Sequence, residues 1–297
     1  MDTPILLATD LDRTLLPNGA QPESPLARHR FRRLATRPEV RLAYVTGRHR
    51  ELVKAAMAEY ELPRPDFVIA DVGTSLYETS ADDWRPLLDW QRTITVDWGG
   101  RSRSELTAMV GELPGLRLQE MAKQGACKLS YYAPPLADPT ELLDCVRQRL
   151  AASGVSVNLV WSSDETTATG LLDVLPASAS KRHALEFLRA RLRIPLDRTV
   201  FAGDSGNDLD VLVSDIPSVL VANAQAAVRA AATAQADAAN LHLARGGLFG
   251  MNGNYSAGIL EGVVHFIPET RTWLMLADEA ADTSIGVRRI ESEREKE

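Results

Sequence analysis

The sequence predicts an α/β fold, a parallel sheet wrapped by helices and interrupted by an inserted α+β layer. Two observations carry this. Continuous apolar runs alternate with helix-period segments over 1–83 and again over 172–266, the pattern of strands buried on both faces. Between them the runs shorten and alternate polar with apolar, as in an antiparallel sheet with one wet face.

The elements follow in order. Residues 5–9 read as a buried strand that stops at Asp10 and Asp12, whose i, i+2 spacing puts both carboxylates on one side of an extended backbone. A turn over 17–22 and a short basic helix over 28–36 lead to a second strand, 40–45, ending in Thr46-Gly47-Arg48. A helix over 52–60 is closed by Pro63 and Pro65, and a third strand, 67–70, runs into Asp71-Val72-Gly73. Trp84, Trp90 and Trp98 then cluster and are read as the core of a small domain. Helices are expected over 104–113 and 140–152, with strands at 128–132 and 156–161. The segment 171–176 leads to Lys181 and a helix through Leu192. Strands at 199–202 and 218–222 follow, the latter ending at Asn223. An Ala-rich helix over 224–239, a flexible Gly-rich loop over 246–254 and a helix over 257–266 complete the pattern, before a tail with a short helix at 273–281 and a frayed end at 288–297. The expected division is a core of 1–83 and 172–266, a lid of 84–171, and a tail of 267–297.

Composition narrows the function classes. A net charge of -7, with 25% charged residues, argues against nucleic-acid and anionic-membrane partners. No apolar run approaches the ~20 residues of a membrane span, and the first residues run straight into a strand, so no signal peptide is expected. Cys127 and Cys145 fit neither a disulfide framework nor a zinc spacing and read as reduced thiols of a cytoplasmic protein.

Asp10/Asp12, Thr46, Lys181 and Asp204/Asn207/Asp208 each fall at a strand end or helix start. Singly, each is an ordinary turn, cap or solvated lysine. Together they suit a site that binds a divalent cation and a phosphoryl group. Mg²⁺ wants hard oxygens: carboxylates from Asp10 and Asp204, the Asp12 carbonyl, and waters held by Asn207 or Asp208. Phosphoryl oxygens want fixed donors, which the Thr46 hydroxyl, the Gly47 N–H and the Lys181 ammonium supply. Asp10 is then the nucleophile forming an aspartyl phosphate, and Asp12 the acid and base beside it.

The segments Asp10-Leu11-Asp12-Arg13-Thr14-Leu15, Val45-Thr46-Gly47-Arg48, Lys181 and Gly203-Asp204-Ser205-Gly206-Asn207-Asp208 resemble the four motifs of the haloacid dehalogenase (HAD) superfamily. The long gap from Gly73 to Lys181 resembles the type IIB cap arrangement (C2B), an α+β lid on a Rossmann-like core. Ala70 to Tyr77, Lys128-Leu129-Ser130-Tyr131-Tyr132, Leu172 to Pro176 and Asn223-Ala224-Gln225 are similar to the sucrose-6-phosphate phosphatase family. That resemblance implies a Mg²⁺-dependent phosphatase of a sugar phosphate, sucrose 6-phosphate first. Phosphatases of mannosylfructose phosphate or glucosylglycerate phosphate share much of the pattern. Arg48, Lys128, Asp173 and Asn223 are candidates for reading the sugar, each with a plain loop or surface role as the alternative. A phosphomutase and a non-catalytic sugar-phosphate sensor remain as other classes, and a glycosyltransferase of the same pathway is a partner this resemblance suggests.

Overall fold

The computed structural model describes residues 4–81, 83–136, 138–164 and 168–274. In chain order the first elements are β1 (Ile5–Thr9), α1 (Ala27–Ala35), β2 (Val40–Val45), α2 (Arg50–Glu59), β3 (Phe67–Ala70), β4 (Ser75–Thr79), β5 (Trp84–Pro86), α3 (Leu88–Thr95) and α4 (Arg103–Val110). Next come β6 (Arg117–Leu118), β7 (Leu129–Ala133), α5 (Thr140–Ala151), β8 (Val157–Asp164), β9 (Thr169–Pro176) and α6 (Lys181–Leu192). The last are β10 (Thr199–Gly203), α7 (Leu209–Leu212), β11 (Ser218–Leu220), α8 (Ala226–Gln235), β12 (Leu241–Leu243) and α9 (Ser256–Phe266). Among the described residues no helix is long and apolar enough to cross a membrane.

The chain forms two compact units. The first comprises Met1–Arg41, Ile194–Ser205 and Leu212–Glu297; the second comprises Leu42–Arg193 and Gly206–Val211, and the chain crosses between them inside β2.

In the first unit the strands run in the order β12-β11-β10-β1, all parallel. Every residue of β1 and of β10 is buried, which is why both read as unbroken apolar runs. Helix α9 packs on β10 and β11 through glycines. A Cβ on Gly262 would fall 2.4 Å from Cβ of Val219, and one on Gly258 would fall 2.2 Å from the Gly253 carbonyl oxygen. Helix α8 is shorter than its alanines suggest, because Ala236 turns extended and the Asp237 side chain accepts from Ala239 N at 2.9 Å in an Asx turn. The Gly-rich loop, expected to be flexible, is tied down instead. The Glu261 carboxylate accepts from Arg245 N at 3.0 Å and Gly246 N at 2.8 Å, and Gly247 N donates to Met251 O at 2.8 Å. Residues 270–274 are helical; the rest of the expected tail helix lies outside the described residues.

In the second unit β2 pairs parallel with β3, while β4 and β5 add antiparallel. That antiparallel pair was not expected from the sequence. Trp84, read as part of the small domain, sits in β5 opposite Thr79, and its ring meets Tyr77 at 5.9 Å. A separate four-stranded antiparallel sheet runs β6-β7-β9-β8, with α4 and α5 packed on one another and α5 on β8. Helix α4 starts in a capping box between Ser102 and Glu105 and stops at Gly111, whose φ is 61°. All three tryptophans are core. Trp90, on the unforeseen α3, packs on Phe187 of α6 at 5.2 Å and donates from Nε1 to the Gly73 carbonyl at 2.9 Å.

Gly262→Val should therefore lower stability by about 1–3 kcal/mol through overpacking against Val219. A thermal melt checks it, and an unchanged melting temperature would contradict the close approach of α9 to the sheet.

Candidate active site

In the first unit, β1 and β10 are adjacent parallel strands that end together at Asp10 and Asp204. The ends of parallel strands are where such sheets present chemistry. Asp10 is 4% exposed and Asp204 1%, and their ligand oxygens lie within 4.8 Å of one another. Thr14 Oγ1 donates to Asp204 Oδ1 at 3.3 Å, and the Arg13 guanidinium stands 3.5 Å from Asp204 Oδ2. Two carboxylates this close and this dry repel unless a cation, a proton or donors compensate. The donor set is carboxylate oxygen throughout, which fits a hard divalent cation such as Mg²⁺. Asp12 is only partly buried and accepts from Asn18 Nδ2 at 2.7 Å. The Asn223 side chain is committed to backbone, donating to Arg13 O at 2.6 Å and accepting from Tyr255 N at 2.9 Å.

In the second unit, Thr46 directly follows β2, fully buried, and its Oγ1 accepts from Arg48 N at 3.2 Å. Lys181 opens α6 behind the N-cap Ser180, whose Oγ accepts from His183 N at 3.2 Å. Its ammonium donates to Asp208 Oδ1 at 2.7 Å and to Asn207 Oδ1 at 2.9 Å. The Lys181 and Asp208 side chains are both completely buried.

The turn after β3 joins these parts. Asp71, Val72 and Gly73 have φ of 52°, 58° and 99°, three successive left-handed residues. That region is open to glycine but disfavoured for other residues, worst for a β-branched one, by roughly 1–3 kcal/mol each. The surroundings impose it. Asp71 N donates to Arg48 O at 3.0 Å and Val72 N to Thr46 O at 3.1 Å. Gly73 must be glycine for a second reason, since a Cβ there would fall 2.3 Å from the Ser180 carbonyl oxygen.

Three of the four sugar candidates share one space. Arg48, Lys128 and Asp173 line a cavity of about 260 Å³ together with Gly47, His49 and Asn207. A second cavity of about 270 Å³ lies against Lys181, Asn207, Asp210 and Trp161. Asp173 sits opposite Ser130 in the β7–β9 register and accepts from its Oγ at 2.5 Å. The Lys128 ammonium lies 3.7 Å from Asp173 and 3.8 Å from Asp71. Burial pushes the Asp71 carboxyl up, and the Lys128 charge pulls it part of the way back. Burial likewise raises Asp210, which is hydrogen-bonded to Ser180. Sequence reasoning missed Asp71, Ser130 and Asp210. Ser130 had a signal, since it follows Lys128 at strand spacing and so shares its face; Asp71 lay within the Ala70–Tyr77 segment but with no role attached, and Asp210, on α7 two residues past Asp208, had no signal beyond that nearness.

Residues 3–267 match the sucrose-6F-phosphate phosphohydrolase family. The chain belongs to that family. A protein of Nitrosococcus oceani named as a HAD-like hydrolase is 51% identical over 277 residues, 92% of this chain and 75% of its own length. The mannosylfructose-phosphate phosphatase of Agrobacterium fabrum is 32% identical over 224 residues, 74% of this chain and 83% of its own. Among solved structures, the sucrose-phosphatase of Synechocystis sp., in complex with sucrose and phosphate, is similar with a TM-score of 0.71 at 25% identity, covering 90% of this chain and 98% of its own. This family member is thus a phosphoric monoester hydrolase, a sucrose-phosphatase-like HAD phosphatase with the expected α/β fold. Phosphatases of the superfamily generally use Mg²⁺.

Lys181→Met should destabilise this phosphatase by about 3–5 kcal/mol, because it strands the buried Asp208 carboxylate without its ammonium. Urea unfolding in metal-free buffer measures the loss, and a change below about 1 kcal/mol would contradict the pairing.

Proposed function

We propose that this phosphatase is Mg²⁺-dependent and hydrolyses a disaccharide or glycoside phosphate, sucrose 6-phosphate to sucrose and phosphate being the first choice. The observation that supports it most is the family match over 3–267, which takes in every motif residue. Phosphatases of mannosylfructose phosphate or glucosylglycerate phosphate are the next readings, the first favoured by the Agrobacterium relative.

In this reading the Asp10 carboxylate attacks phosphorus in line, an O–P bond forms on Asp10, and the sugar's ester O–P bond breaks. Asp12 gives its proton to the leaving alkoxide, then takes one from the water that attacks the aspartyl phosphate and releases inorganic phosphate. Thr46, Gly47 and Lys181 hold the phosphoryl oxygens. Asp10, the Asp12 carbonyl, Asp204, Asn207 and Asp208 would hold Mg²⁺, directly or through water. Bound there, the cation neutralises charge on the phosphoryl oxygens. Arg48, Lys128 and Asp173 bind sugar hydroxyls, with Asn223 supporting the loop near the phosphate end. Residues 1–83 and 172–266 act as the catalytic core, 84–171 as the substrate lid, and 267–297 as an appended tail. A glycosyltransferase that makes the glycoside phosphate is the natural partner, and the free cysteines suit work in the cytoplasm.

Phosphate release from a panel of sucrose 6-phosphate, mannosylfructose phosphate, glucosylglycerate phosphate, trehalose 6-phosphate and simple hexose phosphates tests the reading. Release is expected from at least one glycoside phosphate in preference to the hexose phosphates; release from none would refute it. Asp10→Asn should lower turnover by roughly a thousandfold or more with the fold intact, and a chelator should silence the wild type. Undiminished activity in either case would contradict the nucleophile or the metal assignment.

A further inference from the structure

We infer that Asp71 is a positioning residue for sugar selection, acting on the substrate only through Lys128. The inference rests on the proposed function and gives a role to a residue that was no site candidate in the sequence.

Lys128 stands between two carboxylates on different layers of the second unit. Asp173, on β9 of the antiparallel sheet, is 3.7 Å from its ammonium, and Asp71, in the turn after β3, is 3.8 Å away. A lysine side chain is long and rotatable, and one carboxylate alone would draw the ammonium down onto its own sheet. A second carboxylate from the facing layer centres it. Both distances exceed hydrogen-bond reach, so charge holds the ammonium while its N–H donors remain for a ligand hydroxyl. Asp173 is itself oriented, because Ser130 donates to its Oδ1 and leaves Oδ2 toward Lys128.

Asp71 is aimed by the strained turn. It takes up a left-handed conformation with Val72 and Gly73, the backbone fixed by bonds to Thr46 and Arg48, and its carboxylate is hydrogen-bonded to the Ser75 side chain. It does not line the cavity that Lys128 lines; it faces the neighbouring space of about 280 Å³ beside Ser75, Tyr77 and Trp90. Lys128, which lines the cavity of about 260 Å³, therefore stands between Asp71 and a sugar bound there, and the influence of Asp71 on that sugar passes through the ammonium.

The test is steady-state kinetics of wild type, Asp71→Asn, Lys128→Met and the double variant. The substrates are the best glycoside phosphate of the panel and p-nitrophenyl phosphate, which has no sugar. Asp71→Asn should raise KM for the glycoside phosphate about tenfold with kcat within about twofold, and cost kcat/KM on p-nitrophenyl phosphate several-fold less. Asp71→Glu should recover part of the loss. On the Lys128→Met background, Asp71→Asn should add less than about twofold, the signature of two residues acting as one. Equal losses on both substrates, or the full tenfold on the Lys128→Met background, would overturn the inference. If Asp71→Asn fails to fold, Asp71→Ser is read in the same way. A wild type inactive on every glycoside phosphate would overturn the functional reading and this inference with it; an active wild type with an unselective Asp71→Asn loss overturns this inference alone.

Discussion

Buried acids need something to answer their charge, and this constraint governs both units. In the first, Asp10 and Asp204 end adjacent parallel strands with almost no solvent on either. In the second, Asp208 is answered by the Lys181 ammonium at 2.7 Å, with both side chains fully buried. Asp204 and Asp208 belong to one stretch of chain, Gly203 to Asp208, so a single strand end supplies acids to both units. A stretch this acidic within a hydrophobic sheet is costly to fold unless cations are part of the design. That cost is why the acids read as functional and why Mg²⁺ suits them.

The second unit shows how the parallel strands are tied to the antiparallel sheet. Gly73 lets the turn after β3 approach the Ser180 carbonyl, and its own carbonyl is taken by the Trp90 indole. Asn158 on β8 donates from Nδ2 to Ala179 O at 2.9 Å, just ahead of Lys181. Lys128 closes the connection with charge rather than with a hydrogen bond. Lys181 and the sugar candidates Lys128 and Asp173 are therefore linked through contacts within this unit, and Asn207 lines both cavities.

Much of this was legible in the sequence because the strands are buried on both faces. Runs such as Ile5 to Thr9 and Thr199 to Ala202 have no polar residue on either face that solvent reaches, so their positions and ends were plain. The motif residues stood out because they fall at those ends. What stayed hidden depends on pairing rather than period. β4 and β5 are short, and their burial is set by the neighbours they meet rather than by alternation. Helix α3 begins at Leu88 behind Leu87, which has no side chain that caps, so nothing in the chain marked its start. Asn223 was read from its strand end alone, and its partners Arg13 and Tyr255, one on each end of the amide, are set by tertiary structure. Asp71 was hidden for the same reason, since its partner Lys128 lies on another layer.

The most direct test of the buried acid pair needs no substrate. Thermal melts of metal-free wild type and Asp204→Asn, each with and without millimolar Mg²⁺, read binding as stabilisation, about 2.7 kcal/mol at a hundred times the dissociation constant. Mg²⁺ should raise the wild-type melting temperature and leave Asp204→Asn nearly unmoved. Equal shifts in the two proteins would mean that the carboxylates at the ends of β1 and β10 do not hold the cation.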